Sequence, residues 1–470
     1  MVLKYIMDVL DRIEFGQPLE QALSMLNKGF SSTTGANPRS YVAHAVDSYL
    51  TATADRSLML LERRWLATQH KSDIVRELCS WGRCYQSTDG SHRELRLLRL
   101  GHADKTRRTH GEVAVAAVVT AFGHPASNPE RWSNAFERSE GQLPERVTVL
   151  EIGLLDGSRN ILFDGTPDQA QDKYTTDGRD AVTALLNGSG IRPGRDCLKC
   201  QIKVACPAVP RAANLLGIQT PPRAPMRKVS ISDLRYYERC PARYRLQAML
   251  LPRLNEYDRY ARLGKAVHKV LEQQHATAAE PCSLADMPTD DGWAAGLDLD
   301  EADVHAGLAM LANHPMVCPL HVGVAPMRIE PNYVFYDTSA QAMIIAKPDL
   351  VYQDAGAWVW REIKTSQRVA DTRPVLEVYP QLALATTVLA AGLLGGDTHN
   401  ARIELEVLRP DRSDLVQIDP HEPENLAQAR EVLRKFAQPW RDDTVFQARS
   451  GKSCRTCPVR RWCPSAADPE

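Results

Sequence analysis

Alternating and helical hydrophobic periods divide the chain into short α/β blocks. In IIAKPDLVYQDAGAWVWREIKTS (344–366), Ile344, Ile345, Leu350 and Val351 predict one strand, 353–356 a turn and 357–364 a second strand. RVTVLEIGLLDGSRNILFD (146–164) and ARIELEVLRPDRSDLVQID (401–419) each read as strand, polar turn and strand. Helical spacing predicts a helix over 263–274 carrying His268, another opening at Gln381, and a basic, aromatic helix within 229–250. NYVFY, just after Glu330, predicts a further strand. The longest apolar runs, 113–122 and 382–394, are too short or too broken for the ~20 residues of a membrane span.

The blocks repeat. RSYVAHAVDSYL (39–50) is similar to LGKAVHKVLEQQ (263–274) and sets His44 opposite His268; the two strand pairs above also match each other. Each series ends in the same cysteine pattern, C-x2-C-x5-C followed by Pro: Cys197, Cys200 and Cys206 in the first, Cys454, Cys457 and Cys463 in the second. A Pro- and Arg-rich stretch without apolar periodicity separates them. The expected organisation is a duplicated α/β chain: a domain over 1–206, a linker over 207–228 and a second domain over 229–470. At ~150 residues per domain, 470 residues leave room for two large ones.

The 11 cysteines are odd in number. The N-terminus MVLKYIMDVLDRIEFG has acids where a signal peptide would have its apolar core, so a cytoplasmic protein with reduced thiols is expected. Thiols at C-x2-C spacing then point to metal, with zinc and an iron–sulfur cluster both compatible. A net charge of -1 excludes a bulk polycation, so any nucleic-acid contact must come from local patches.

The 344–366 hairpin carries the chemistry. Side chains alternate along a strand, so Glu362 and Lys364 share a face, with Asp349 on the partner strand. Two carboxylates can hold a hard divalent cation, and the cation can polarise a phosphoryl oxygen and acidify a bound water. A lysine beside them can orient that water or stabilise developing negative charge. Only 14 of the 57 basic residues are Lys, which makes Lys364 informative in this Arg-rich chain. Other chemistries lack their motifs. Gly451-Lys452-Ser453 looks like the end of a phosphate loop, but the earlier Gly position holds Phe446, so a helicase motor would be a separate polypeptide.

With these residues on the page, the second half resembles the PD-(D/E)XK nucleases of the RecB/AddB type, in particular the iron–sulfur subgroup with CRISPR-associated RecB-like exonucleases. The resemblance implies a restriction-endonuclease-like core, a mixed sheet flanked by helices. It implies that Asp349, Glu362 and His268 bind Mg2+ or Mn2+, that Lys364 is catalytic, and that Gln381 supports the site or contacts DNA. Glu330 is a further candidate near the metal. Cys240, in the context of Ser230, Ser232 and Leu234, would join Cys454, Cys457 and Cys463 around a [4Fe–4S] cluster. Two positions depart from the family pattern: Ala385 stands where an aromatic follows the Gln, and Ala346 where a Gly precedes the acid.

The same comparison places Arg83, Arg96 and Leu98 opposite Asp349, Glu362 and Lys364, which leaves the first half without a pair of acids. A degenerate, catalytically inactive copy is expected there. Cys197, Cys200 and Cys206 form a second candidate metal site for a cluster or zinc; Cys79, Cys84 and Cys240 are the alternatives for its fourth ligand. Between 223 and 269 stand 12 basic residues against four acids, interleaved with tyrosines. Phosphate neutralisation and base stacking make Arg235, Arg239, Tyr244 and Arg262 candidate DNA contacts. The expected function is a metal-dependent DNA nuclease, an exonuclease acting on single-stranded DNA or DNA ends. The alternative is a non-catalytic iron–sulfur scaffold in a helicase–nuclease or CRISPR/defence complex.

Overall fold

A computed structural model describes residues 2–24, 38–54, 57–61, 65–71, 74–125, 143–188, 190–191, 193–221, 224–253, 259–277, 280–320, 324–367 and 372–466. Arg223, Glu256, Tyr257 and Asp258, counted in the basic stretch, lie outside the described residues. The chain divides into two compact units, one built mainly from residues 1–190 and the other mainly from 191–244 and 255–458. No helix among the described residues is long and apolar enough to cross a membrane.

The first unit opens with helices α1 (Val2–Glu14) and α2 (Arg39–Ala52). Its five-stranded sheet has the order β1 (Leu58–Leu60), β2 (Arg83–Ser87), β3 (His92–Arg99), β4 (Arg146–Gly153) and β5 (Arg159–Gly165). Neighbours are antiparallel except for β3 and β4, which run parallel. A parallel pair needs a crossover, supplied by α3 (His110–Phe122), which buries Val113, Ala116, Ala117, Val118 and Val119. Thr109 starts that helix with a capping box closed by Glu112.

The second unit carries β6 (Arg227–Ser230), α4 (Ile231–Arg239), α5 (Arg259–Thr277), α6 (Glu301–Asn313), β7 (Val324–Ile329), β8 (Tyr333–Asp337), β9 (Ala342–Ala346), β10 (Leu350–Asp354), β11 (Ala357–Thr365), α7 (Pro380–Ala390), β12 (Asp397–Leu408), β13 (Ser413–Ile418) and α8 (Pro423–Asp442). Its main sheet has the order β7-β10-β11-β12-β13. Again one pair, β11 and β12, is parallel and crosses over through a helix, α7. On strand β11 the side chains alternate between two apolar layers. Trp358 and Trp360 pack in the cluster holding α7 and α8, whereas Val359 and Ile363 pack with Leu263, Val267 and Leu271 of α5.

The structure revises three sequence expectations. The single strand expected from Ile344 to Val351 is two: β9 joins a separate four-stranded sheet with β6, β8 and Arg211–Ala212, and β10 joins the main sheet. Lys347 and Pro348 divide them, and proline has no N–H to give a ladder. The helix expected through Cys240 is broken there, because Pro241 cannot continue it and Cys240 takes an extended φ of -160°. The 207–228 stretch is not a free linker. Its Val209, Leu215, Leu216 and Ile218 are buried in the second unit, and the first Cys triplet falls in that unit too, beyond Gly190.

Candidate active site

The site forms where β10 and β11 separate. Asp349 directly precedes β10, after the Pro348 break, while Glu362 and Lys364 stand two apart on β11 and so share a face. Lys364 Nζ donates to Asp349 Oδ2 at 3.0 Å, Glu362 Oε2 at 2.9 Å and the Ile363 carbonyl at 2.8 Å. The Ile363 N–H donates to Asp349 Oδ2 at 2.7 Å, and the buried Trp360 indole donates to Glu362 Oε1 at 3.2 Å. One ammonium therefore sits between two carboxylates, each also held by a fixed N–H donor.

His268 approaches from α5, its Nδ1 3.4 Å from Asp349 Oδ1. Four residues before it, Gly264 lets that helix lie close to β11, since a Cβ there would meet Thr365 Oγ1 at 3.0 Å. His268 and Asp349 also line a small cavity with Glu272 and Glu330. Glu330 is anchored by its N–H to the Asp349 carbonyl at 2.9 Å, and its carboxylate pairs with Lys347.

The environments push the two acids apart. Burial raises Glu362 above the usual carboxyl range, against the attraction of Lys364 and with the repulsion of Asp349. Burial opposes ionisation of Asp349 too, but the Lys364 charge and His268 outweigh it and hold the group well below that range. Burial would likewise lower Lys364, yet Glu362 and Asp349 outweigh it and keep the ammonium charged. Asp349, Glu362 and His268 offer oxygen and imidazole ligands suited to a divalent cation such as Mg2+ or Mn2+, with Glu272 and Glu330 beside them.

Gln381 lies in the first turn of α7, half-buried, and is not among the hydrogen-bond partners of Asp349, Glu362 or Lys364 among the described residues. Arg239 is exposed and Arg235 half-buried; Arg262 pairs with Asp298 at 3.3 Å. Tyr244 is placed differently from a stacking platform. Its ring is buried between Tyr237 and Phe446, at centroid distances of 6.0 and 5.8 Å, so it packs the core instead of facing solvent.

Among the cysteines, Cys240 Sγ accepts from the Arg449 N–H at 3.4 Å, and the Cys457 N–H closes a turn on the Cys454 carbonyl at 3.2 Å. Cys463 ends a short 3-10 turn, its N–H on the Arg460 carbonyl at 3.0 Å. In the first triplet, Cys206 is buried among Val209, Val334, Tyr336 and Met343, and Cys197 Sγ accepts from the Gly194 N–H at 3.4 Å. Cys79 is exposed, and burial pushes the Cys84 thiol up to about 12.

The sequence reading missed two residues of this site. Glu272 follows His268 by four on one helix, a spacing that puts both on one face. Trp360 precedes Glu362 by two on one strand.

A family model for the PD-(D/E)XK nuclease superfamily matches residues 228–464, just over half of the chain. No curated protein matches the sequence. The solved crystal structure of SSO0001 is similar at 14% identity, covering 51% of this chain and 87% of that chain with a TM-score of 0.24.

Proposed function

The chain belongs to the PD-(D/E)XK nuclease superfamily, and from that premise we propose that it is a metal-dependent DNA exonuclease acting on single strands or free ends. One observation carries the reading: Lys364 Nζ bridges Asp349 and Glu362 at 3.0 and 2.9 Å, and Asp349 lines a cavity with His268. In that arrangement Asp349, Glu362 and His268 would hold a divalent cation, which when bound would polarise a phosphoryl oxygen and lower the pKa of a water. Asp349, kept ionised by Lys364, is the stronger anionic ligand. Lys364 supplies a fixed positive charge within reach of phosphate. Glu362, held by Lys364 and the Trp360 indole, is fixed in place before substrate arrives. Exposed Arg239 and the surrounding basic residues attract the phosphate backbone.

The Cys240, Cys454, Cys457 and Cys463 thiols are our proposed ligands of an iron–sulfur cluster. Their all-sulfur donor set fits one, and so does the backbone N–H of Arg449 pointing at Cys240 Sγ, since such hydrogen bonds tune cluster sulfurs. The reading also covers a role beside a separate helicase or within a CRISPR/defence complex, because this chain carries no complete phosphate loop.

End-labelled single-stranded DNA, incubated with anaerobically purified protein and Mg2+ or Mn2+, tests the proposal beside Asp349→Ala. Wild-type cleavage that disappears in the variant is the expected result. DNA binding without cleavage by either protein overturns it in favour of a scaffold. Cys457→Ala is expected to lose most of its iron; an unchanged iron content removes the C-terminal triplet as a cluster site.

A further inference from the structure

A second group of ligand-type side chains lies on the far part of α5. Among the described residues, the ligand atoms of His275, Cys282, His314 and Cys318 all lie within 4.8 Å of one another. None of the four belongs to either C-x2-C-x5-C triplet. His275 lies in the last turn of α5; Cys282 follows that helix; His314 opens a 3-10 turn after α6, and Cys318 caps that turn four residues later. His275, Cys282 and His314 are buried, at 5%, 5% and 0% exposure.

The distances suit one tetrahedral ion. Metal–nitrogen bonds of about 2.0–2.1 Å and metal–sulfur bonds of about 2.3 Å require a nitrogen–nitrogen edge of about 3.3 Å and a nitrogen–sulfur edge of about 3.6 Å. The two Nε2 atoms are 3.1 Å apart, and Cys318 Sγ is 3.9 Å from His275 Nε2. The outer groups fit as well. His314 Nδ1 is 2.6 Å from Glu406 Oε1, and Glu406 is ion-paired to the buried Arg361 at 3.2 Å. A carboxylate on Nδ1 fixes the tautomer that leaves Nε2 with a lone pair, the usual arrangement behind a metal-bound histidine. The Cys282 N–H donates to Cys318 Sγ at 3.3 Å, as thiolate ligands commonly accept. A single hydrogen bond between the imidazoles would explain their approach, but not two thiols converging on the same point.

We propose that His275, Cys282, His314 and Cys318 bind a structural zinc ion. Two imidazoles and two thiolates select zinc over the hard cations expected at the carboxylate site. A two-iron cluster with the same ligand types is disfavoured, because it puts thiolates and imidazoles on separate irons. Four protein ligands close the coordination shell, so the ion has no position open for catalysis. Its effect is on placement. His275 lies seven residues after His268 on α5, on nearly the same face. An ion pinning the end of that helix to the turn after α6 therefore fixes the rotation that presents His268 to Asp349.

X-ray absorption at the zinc edge of the full-length wild-type protein tests this without any substitution. The expected spectrum shows imidazole scattering with a mixed sulfur and nitrogen shell, since neither cysteine triplet includes a histidine. Cys318→Ser should lose about one zinc per chain and the imidazole signal, with iron content unchanged. Zinc bound by sulfur alone, no zinc in protein incubated with Zn2+, or iron in its place overturns the proposal. So does a folded Cys318→Ser protein that keeps its imidazole-bound zinc. Iron loss in Cys457→Ala and cleavage by the wild type are separate readouts, so the zinc result stands or falls independently of the nuclease reading.

Discussion

The two five-stranded sheets share strand order, strand directions and, at their centre, register, yet one gathers acids where the other gathers arginines. In the hairpins, Cys84 pairs with Leu95 and Tyr85 with Glu94, as Leu350 pairs with Arg361 and Val351 with Trp360. Across the parallel pair, Arg96 faces Leu150 and Leu97 faces Glu151, as Glu362 faces Leu405 and Ile363 faces Glu406. At the next strand Leu150 meets Ile161, as Leu405 meets Val416. These are the pairings that the two ungapped sequence matches predict. The match ends at a bulge between Val149 and Leu150, beyond which Val149 meets Phe163 whereas Glu404 meets Gln417.

What differs is how the shared positions are neutralised. Arg83 and Arg96 stand directly opposite each other, which alone would be repulsive. Arg83 is fully buried and meets Asp11 of α1 at 2.5 Å; Arg96 meets Glu94 at 2.5 Å and lies 3.8 Å over the Tyr85 ring. His44 accordingly makes ordinary contacts, to the Leu155 carbonyl at 2.6 Å and Ser48 at 3.4 Å, with no acid among its described partners. A fully buried acid stands in both: Glu151 is held by Arg108 at 2.9 Å, Glu406 by Arg361 and His314. The lesson is that this sheet tolerates either charge sign at its open end, provided a partner of opposite sign is supplied locally.

The contrast breaks most visibly at Lys364. Lys364→Ala should lower cleavage by on the order of 10³-fold while DNA binding persists, as measured with labelled single strands. Cleavage at the wild-type rate would erase the distinction between the sheets. Arg83→Met should act on stability instead, costing about 3 kcal/mol by leaving Asp11 without its buried partner. Denaturant unfolding reads that cost, and cleavage per folded molecule should not change. The smallest effect is expected at the tip of the β10–β11 hairpin. Gly356 has a φ of +86° with open space around it, so Gly356→Ala should cost about 1 kcal/mol through backbone strain alone. Cleavage should survive, because the tip lies at the opposite end of the strands from Asp349.

The candidate site was legible because strand alternation and one short spacing place Glu362 and Lys364 together without help from the rest of the fold. The strand pairs over 146–164 and 401–419 were legible because apolar positions alternate along each strand. Other features depend on contacts that periodicity does not encode. The His275, Cys282, His314 and Cys318 group draws on two helix ends whose cysteines are 36 positions apart, so no local spacing announces it. Tyr244 looked available because it sits among arginines, but only packing shows its ring enclosed by Tyr237 and Phe446. The Pro-rich stretch hid Leu215 and Leu216, whose burial depends on partners such as Asp337, which accepts from the Leu216 N–H at 2.7 Å.

The hydrogen bond from Trp360 to Glu362 also makes the site optically readable. Indole emission responds to charge placed near the ring, and this indole is 1% exposed, with its N–H on a carboxylate proposed to hold the cation. A titration with Mg2+ or Mn2+ should therefore shift the intrinsic fluorescence of the unlabelled protein. Trp360→Phe would identify which of the eight tryptophans reports it.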